Sequence, residues 1–575
     1  MRTYLLILFT LLIANAVAQN EERYFRGNTT PTWQETVDTY RNLAKMHPQT
    51  KLHEIGYSDG GKPLHLFVIN KNGTLEWDQL AMQDKPILLV NNAIHPGEPC
   101  GVDASIALCQ LLLDPQSKYA HLLDSAVVCI LPMYNIGGAL NRGCCSRANQ
   151  NGPEQYGFRG NERNLDLNRD FIKCDSQNAR AFNQMFSRLN PHLFVDTHTS
   201  NGADYQYTMT MISTQPDKAG PVIGSYMKNT IDPWLYNRMK ERNWEMIPYV
   251  ESINKIPDNG IYGFLETPRY ATGYAALFNT IAYTSEAHML KPYEDRVEAT
   301  LHFLLSLLEF TNANAQEIIV NKAKADKQVQ EAQQLPLRWQ LDTTVYQSIE
   351  FKGYEAEYEK SEVSGALRLK YNRQKPYTKS IKLYNKHTIT LSSTIPEYYI
   401  VPQAWREVLE RLSLNGVEMT SFKSDTLVFA ETYYIEDFSS PSQPYEGHYI
   451  HHEVACKRVL LNIHVLAGDY LISTHQAKRR YIVESLEPQG MDSFFTWNFF
   501  DSMLQQKEWF SDYVFEEEAA QMLQNDPALK SQLEELKLRD PAFAQSNWAQ
   551  LYYLYQQSKN FEISMNRYPV LRYMP

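Results

Sequence analysis

Apolar runs without polar alternation recur through the first half of the chain, and stretches with helical spacing separate them. Such uninterrupted runs are typical of strands buried on both faces. They lie at Ile87 to Val90, Ala126 to Leu131 and Leu193 to Asp196. Two further strand-like runs flank Ser58-Asp-Gly-Gly61 and predict an antiparallel hairpin. We therefore expect an α/β fold, a mixed-sheet α/β/α sandwich with helices on both faces of the sheet.

The pattern changes after the helix-like stretch Arg296 to Phe310, so we predict a first domain over residues 19–314. Residues 315–336 are rich in Ala, Lys, Gln and Glu and predict a helical linker. Residues 337–484 alternate Thr, Tyr, Val and Ile with turn residues, which predicts a β-rich domain with one helix near Ala404 to Leu412. Residues 485–575 are aromatic at first and then rich in Glu, Gln and Leu, and we expect them to be mainly helical.

The N-terminus has the form of a signal peptide, residues 1–18, in which Arg2 precedes an apolar run that ends at Ala16-Val-Ala18. The run is too short to span a membrane stably, and no later stretch is long and apolar enough. We expect an exported protein, periplasmic or secreted, cleaved near Ala18. The net charge of −11 becomes −12 when Arg2 is removed, and this acidic balance argues against a nucleic-acid partner.

The seven cysteines are an odd number, so at least one is unpaired within a monomer. A disulfide between Cys174 and either Cys144 or Cys145 fits an oxidising compartment. Cys109 and Cys129 lie in apolar runs and are expected to be buried thiols. Because no CxxC pair occurs, the cysteines do not favour a zinc site.

Two of the apolar strands are followed by residues that can bind a metal. His95 and Glu98 follow the strand at Ile87, and His198 ends the strand at Leu193. A catalytic zinc site needs three protein ligands and one open position, and open α/β sheets hold their ligands at the carboxyl ends of the strands. Each histidine alone could be a hydrogen-bonded loop residue, whereas the two together favour a metal.

The segment Arg163-Asn-Leu-Asp166-Leu-Asn168-Arg169 carries further candidates. Asp166 could accept the second N–H of a ligating imidazole and so fix its tautomer. Asn168 and Arg169 pair an amide with a guanidinium, which suits the bidentate capture of a free carboxylate.

Four motifs occur in order: His95-Pro-Gly-Glu98, Asp166-Leu-Asn168-Arg169, Asp196-Thr-His198 and Tyr283-Thr-Ser-Glu286. Together they resemble the zinc carboxypeptidase family typified by carboxypeptidase A, over roughly Trp33 to Phe310. The resemblance implies that a single zinc ion is held by His95, Glu98 and His198. It implies that Glu286 is the general base that activates the water on zinc and passes its proton to the leaving amine. Asn168 and Arg169 would bind the terminal carboxylate of a peptide substrate.

The same resemblance implies an arginine that stabilises the oxyanion and a mobile tyrosine that covers the substrate. We assign the first role to Arg147, which lies a suitable distance before Asp166, and its rivals are Arg142, Arg159 and Arg163. We assign the second role to Tyr270, and its alternatives are Tyr262 and Tyr274.

The chain also departs from carboxypeptidase A. Gly97 stands where that enzyme has an arginine, so one accessory substrate contact is missing, and the form HPGE resembles the cytosolic carboxypeptidase branch and various bacterial members. We expect His288 to be structural, and we do not expect a second metal at the histidines in the β-rich region, His448, His451, His452 and His464. The aromatic segment that begins at Asp492 resembles segments of long bacterial members and is expected to be core packing.

The sequence therefore predicts an exported zinc metallocarboxypeptidase that hydrolyses a C-terminal peptide bond. One alternative is a zinc amidohydrolase that acts on peptidoglycan stem peptides or N-acyl amino acids, since the same ligands would serve. Another is a non-catalytic peptide-binding protein of the same fold. The side-chain preference and the choice between L and D residues are left open, because the specificity pocket cannot be aligned.

Overall fold

The computed structural model describes residues 23–575 of the chain. The predicted signal peptide lies outside these residues. Among them, no helix is both long enough and apolar enough to cross a membrane. The α-helices are α1 Trp33–Met46, α2 Cys100–Leu113, α3 Ile136–Leu140, α4 Gln177–Leu189, α5 Pro216–Ala219, α6 Pro221–Tyr226, α7 Asp232–Glu241, α8 Ala271–Ala275, α9 Tyr293–Ala313, α10 Ala315–Glu331, α11 Arg406–Leu414, α12 Arg479–Leu486, α13 Asp512–Asn525, α14 Pro527–Arg539, α15 Pro541–Ala544 and α16 Asn547–Gln556.

The strands fall into a first group, of which all but β8 and β9 build the central sheet, and a second group towards the C-terminus. The first group is β1 Thr50–Tyr57, β2 Pro63–Ile69, β3 Ile87–Asn91, β4 Val127–Leu131, β5 Leu193–Ser200, β6 Met209–Ser213, β7 Met246–Pro248, β8 Glu251–Ser252, β9 Ile261–Tyr262 and β10 Ile281–His288. The second group is β11 Gln334–Leu341, β12 Gln347–Lys360, β13 Leu367–Tyr384, β14 His387–Thr394, β15 Tyr398–Val401, β16 Thr420–Ser421, β17 Thr426–Ser439, β18 His452–Val465, β19 Tyr470–Ser473 and β20 Leu571–Tyr573.

The central sheet has eight strands in the order β1-β2-β4-β3-β5-β10-β6-β7. Its middle strands β4, β3, β5 and β10 are parallel to one another. The predicted hairpin β1–β2 is antiparallel, and β6 pairs antiparallel with β10. The predicted mixed sheet is therefore confirmed.

Alternate side chains of the middle strands enter two separate hydrophobic cores. In β3, Leu89 packs in one core with Phe182 of α4, and Val90 packs in the other with Leu108 of α2 and Leu304 of α9. Since successive side chains of a strand point to opposite faces, helices cover both faces of the sheet. The predicted α/β/α sandwich is thereby confirmed.

Local polar residues set the ends of several of these helices. At the start of α1, Thr32 and Glu35 cap each other's backbone N–H groups. Helix α4 begins after Ser176, whose hydroxyl accepts from the backbone of Ala179. Its C-terminal cap is Asn190, which has the left-handed conformation common at helix C-termini.

The C-terminal half contains the predicted β-rich region, with α11 within it and α12 at its end, followed by helices α13 to α16. The long hairpin β12–β13 pairs through β13 with β9, so residues on both sides of the predicted linker share a sheet. A six-stranded sheet in the order β16-β19-β15-β20-β17-β18 forms the rest.

The aromatic segment after Asp492 is buried, as predicted for core packing. Phe494, Trp497 and Phe500 are all fully buried and belong to the same hydrophobic core as Phe182 of α4. The C-terminal region and one face of the central sheet therefore share a continuous core.

A buried carboxyl group in the first turn of α2 predicts a pH-dependent loss of stability. Asp103 is 8% exposed and accepts hydrogen bonds from Thr30 Oγ1 at 2.6 Å and Tyr293 Oη at 2.5 Å. Burial raises the pKa of Asp103 to about 6, although both donors favour the ionised form. An unfolded Asp has a pKa of about 3.9, so the folded state holds an extra proton between about pH 4 and 6.

Stability therefore falls with rising pH across that window. An amide at this position still accepts both hydrogen bonds but carries no charge. Between pH 4 and 7.5, we expect the free energy of unfolding of Asp103→Asn to rise by about 3 kcal/mol relative to that of the wild type. The reason is that the pKa of Asp103 is about two units higher in the folded state than in the unfolded state. Thermal or urea unfolding of both proteins at each pH measures this. An equal stability difference at pH 4 and 7.5 would contradict the assignment.

Candidate active site

The candidate residues meet at the carboxyl ends of three neighbouring parallel strands, β3, β5 and β10. The register places Asn91 of β3 beside Asp196 of β5, and His198 of β5 beside Glu286 of β10. His95 and Glu98 lie in the short loop between β3 and α2. This edge is where open α/β sheets bind their ligands.

His95, Glu98 and His198 present donor atoms that all lie within 4.8 Å of one another. The three side chains are at most 3% exposed. Nδ1 of His198 is 3.0 Å from Oε2 of Glu98, and Nδ1 of His95 is 3.4 Å from Oε1. His95 Nδ1 is buried and has no hydrogen-bond partner among the described residues. Two imidazoles and one carboxylate are a donor set of catalytic zinc sites, so these residues fit a zinc ion.

Each imidazole donates a hydrogen bond to a carboxylate from Nε2, the ring nitrogen that faces away from Glu98. His95 Nε2 donates to Oδ1 of Asp166 at 2.8 Å, which is the contact the sequence predicts. His198 Nε2 donates to Oδ2 of Asp196 at 2.9 Å, and Asn91 donates to the other oxygen of Asp196. Both histidines therefore turn Nδ1 towards Glu98, with a tautomer suited to a metal.

The sequence did not identify Asp196 as the hydrogen-bond partner of His198. Its signal is the spacing Asp196-Thr-His198, because residues two apart on a strand point to the same face.

The electrostatic interactions within this cluster favour a bound cation. Burial would raise the pKa of Glu98, but Arg147, His95 and His198 hold it well below its usual value. Burial would lower the pKa of His198, but Asp196 and Glu98 outweigh it and raise this pKa well above the ordinary value. These shifts favour a proton on His198 beside an ionised Glu98, and a metal ion bound there would displace that proton.

A cavity of about 500 Å³ opens onto the cluster. Of the predicted residues outside the donor set, five line it: Arg147, Asn168, Arg169, Tyr270 and Glu286. Desolvation at the cavity wall raises the pKa of Glu286 to about 8; the charges of Glu98 and Glu266 add to this, and His198 and Arg147 oppose it. Glu286 therefore has a strong affinity for a proton.

Arg147 is held across the loop of the metal-binding motif. It donates from Nη1 to Oε1 of Glu98 at 2.7 Å and from Nη2 to the carbonyl of Thr199 at 3.0 Å. A Cβ at Gly97 would lie 2.7 Å from Cδ of Arg147, which is closer than real Cβ contacts allow. The glycine in the HPGE motif thus leaves space for this arginine.

Of the three rival arginines, the structure places one in the cavity wall and two outside it. Arg159 also lines the cavity, where its Nε donates to Oδ2 of Asp166 at 2.9 Å. Arg142 instead donates to the carbonyls of Thr30 and Pro31, and Arg163 donates to the carbonyl of Asp175. Neither Arg142 nor Arg163 is part of the cavity wall.

Asn168 and Arg169 lie in the short 3₁₀ turn Leu167–Arg169, which the side chain of Asp166 caps. The Tyr270 ring lies over the guanidinium of Arg169, with 4.4 Å from Cζ to the ring centroid. The Asn168 Oδ1 atom is buried without a hydrogen-bond partner among the described residues. The turn therefore presents an amide and a guanidinium to the same cavity.

The other tyrosines that were considered as mobile covers lie elsewhere. Tyr274 is fully buried and donates to Asn415. Tyr262 is not part of the cavity wall, although it donates to Glu251, which is. Tyr249 and Glu266 do line the cavity, and no motif in the sequence marks them.

Three further histidines have structural partners. His288 donates to the carbonyl of Ala203 and stacks on Tyr205. His448 and His451 each donate to an aspartate, Asp175 and Asp501 respectively. Within residues 23–575, no group of His, Cys and acidic side chains other than His95, Glu98 and His198 could hold a metal ion.

The predicted disulfide is wrong. Cys144 and Cys145 are bonded to each other, and Cys174 is a free, fully buried thiol. The physical reason is location: Cys174 is fully buried, whereas Cys144 and Cys145 lie in the exposed loop that leads to Arg147. Cys109 and Cys129 are buried free thiols, as predicted.

The profile of zinc carboxypeptidases matches residues 36–291. Residues 36–291 therefore form a zinc carboxypeptidase domain. Carboxypeptidase 2 of Trichophyton tonsurans is 22% identical over 492 residues, which cover 81% of this chain and 84% of that protein. The same-named protein of Trichophyton rubrum is 20% identical over an equal span. A crystal structure of carboxypeptidase A from Helicoverpa armigera aligns with 15% identity and a TM-score of 0.37, over 56% of this chain and 80% of that one.

The carboxypeptidase domain makes this chain a hydrolase of the peptidase class, and the alternative of a non-catalytic binding protein is set aside.

Proposed function

We propose that this carboxypeptidase is a zinc enzyme that removes the C-terminal residue of a peptide. The observation that carries the proposal is a single cavity that brings together a metal donor set, an unligated carboxylate of raised pKa and a guanidinium. These groups supply the three needs of the reaction: an activated nucleophile, a proton acceptor and a grip on the terminal carboxylate.

His95, Glu98 and His198 would hold the zinc ion. Zinc bound there would polarise the scissile carbonyl and lower the pKa of a water molecule towards ~7. Asp166 and Asp196 keep the two imidazoles in the orientation that binding requires.

Glu286 acts as the general base and then as the general acid. It takes a proton from the attacking water and delivers it to the leaving amine, a role that requires a carboxylate outside the metal donor set. Burial and the charges of Glu98 and Glu266 raise its pKa, and the positive charge of a bound zinc ion would favour the ionised form that accepts the proton.

The arginines bind the two negative charges of the reaction. Arg147 lies beside Glu98 and would stabilise the charge that develops on the carbonyl oxygen. Arg169 and Asn168 would bind the terminal carboxylate, and Tyr270 would cover the bound residue.

The decisive experiment combines metal analysis with a substrate screen. We expect purified protein to hold a single zinc ion and to release the last residue from blocked dipeptides with a free carboxylate. Muropeptides and N-acyl amino acids belong in the same screen, because the same residues would serve an amidohydrolase. A protein that binds no zinc and hydrolyses none of these substrates would refute the proposal.

The carboxylates behind the histidines give a test that does not depend on activity. We expect Asp196→Asn to weaken zinc binding by about 10–100-fold, because the amide polarises His198 less than the carboxylate does. Competition against a chelator of known affinity measures this. Asp501→Asn is a matched control, since it alters the His451–Asp501 pair outside the cavity and should leave zinc affinity unchanged.

We also propose that the enzyme is exported and cleaved after Ala18. Expression with the native N-terminus should yield a periplasmic or secreted chain that starts at Gln19, as N-terminal sequencing would show. Retention of the uncleaved chain in the cytoplasm would contradict export.

A further inference from the structure

A tight turn of the C-terminal region reaches the candidate active site. It comprises Tyr445 to His448 and lies between β17 and β18; we name it the 445–448 turn. Its backbone is closed by hydrogen bonds from Tyr445 N to His448 O at 2.7 Å and from His448 N to Tyr445 O at 3.0 Å. The two central residues, Glu446 and Gly447, have φ of 51° and 84°, as a type I′ turn requires.

The 445–448 turn makes three polar contacts with the segment that carries Arg169. Tyr445 Oη accepts a hydrogen bond from Nε of Arg169 at 2.9 Å. Glu446 Oε2 accepts from the backbone N–H of Asp166 at 2.8 Å, and His448 donates to Asp175 at 2.7 Å. The turn therefore contacts this segment at both ends and at the guanidinium between them.

These contacts determine which edge of Arg169 faces the cavity. Tyr445 occupies Nε, and the carbonyl of Asn168 accepts from Nη1 at 2.7 Å. Among residues 23–575, no hydrogen bond is found to Nη2. Because the Tyr270 ring covers the guanidinium plane, Nη2 is the nitrogen left for an incoming carboxylate.

The turn is itself supported by the buried aromatic segment. The Tyr445 ring stacks on Trp497, with ring centroids 6.2 Å apart and planes 21° apart. Arg269 lies over Trp497 at 4.9 Å and is paired with Asp492 at 2.6 Å. Trp497 is fully buried. The position of the Tyr445 hydroxyl is therefore set by the C-terminal core.

We propose that the C-terminal region completes the carboxylate-binding site and that Tyr445 is a positioning residue for Arg169. This inference rests on the proposed role of Arg169 in binding the substrate carboxylate. It assigns to the β17–β18 connection a direct part in substrate recognition, since the hydroxyl of Tyr445 orients the guanidinium that the substrate meets.

The test is Tyr445→Phe, which removes the hydroxyl and keeps the ring on Trp497. With the blocked dipeptide that the wild type hydrolyses fastest, we expect KM to rise roughly tenfold, the loss expected for a hydrogen bond to a charged group, while kcat stays within about twofold. On a Glu286→Gln background, calorimetry should show the same loss in affinity for that dipeptide. Affinity for its C-terminal amide should not change.

Tyr434→Phe is the matched control. Tyr434 lies on β17, and its hydroxyl donates to the carbonyl of Ile563 at 2.5 Å, away from the cavity. We expect its KM and kcat to equal those of the wild type. An unchanged KM in Tyr445→Phe, or an equal change in both variants, would overturn the inference.

A double-mutant cycle separates positioning from a general structural effect. If Tyr445 acts through Arg169, Tyr445→Phe should add no further loss of affinity in an Arg169→Ala background. The same loss in both backgrounds would mean that the tyrosine does not act through the arginine. If Arg169→Ala alone leaves the preference for free over amidated C-termini unchanged, the proposed carboxylate anchor fails and the inference fails with it. An effect of Arg169→Ala without one of Tyr445→Phe refutes the inference alone.

Discussion

Replacing Glu286 by Gln is expected to lower kcat by about 10²–10⁴-fold, the usual range for the loss of a general acid–base group. The amide has the shape of the carboxylate but cannot accept the proton of the attacking water or return it to the leaving amine. Zinc content should stay unchanged, because His95, Glu98 and His198 form the donor set without Glu286. Steady-state kinetics and metal analysis of the same preparation measure both quantities.

The control for this experiment is Glu245→Gln, the same chemical change at a surface glutamate that is paired with Lys352. It should leave kcat and zinc content at the wild-type values. If Glu286→Gln turns over every substrate at the wild-type rate while it holds zinc, Glu286 is not the base. The base must then be sought among the other acidic groups of the cavity, of which Glu266 is one.

Arg147→Ala is expected to lower kcat by about 10²–10³-fold, the cost of removing an oxyanion donor. Its guanidinium is anchored by Gln150 and by the carbonyl of Thr199, so it is held in place before the substrate arrives. Such a fixed charge stabilises the transition state without a cost of reorganisation. Kinetics with a saturating dipeptide measure the effect on kcat.

Two further arginine variants are needed to interpret this result. Arg142→Ala is the matched control, because Arg142 precedes the same loop but binds the carbonyls of Thr30 and Pro31 outside the cavity, and its activity should be unchanged. Arg159→Ala tests the rival in the cavity wall. A larger loss of kcat in Arg159→Ala than in Arg147→Ala would transfer the oxyanion role to Arg159. Zinc is measured in each variant, since both arginines lie near Glu98.

The local elements of the fold could be predicted because their signals lie within a few neighbouring residues. The run at Ile87 to Val90 has no polar alternation and forms β3, which is buried on both faces. The stretch from Trp33 to Met46 has helical spacing and a capping box, and it forms α1. The hairpin β1–β2 follows from its turn residues. In each case the burial pattern and the turn chemistry act over short distances.

The disulfide prediction failed because pairing depends on distance in space. Cys174 is fully buried, whereas Cys144 and Cys145 lie on an exposed loop and bond to each other. The choice among the arginines was open for the same reason. Arg142, Arg147, Arg159 and Arg163 are near neighbours along the chain, and only the path of the loop shows which of them face the cavity.

By itself, the sequence determined which residues could bind a metal, accept a proton and hold a carboxylate, because the motif around His95-Pro-Gly-Glu98 and its three partners carry those chemical groups in order. The tertiary structure alone decided how these groups are oriented. Tyr445 meets Arg169 across 276 residues because β17 and β18 pack on the same hydrophobic core as α4. Contacts of that range arise from the packing of whole sheets, which no local pattern of residues encodes.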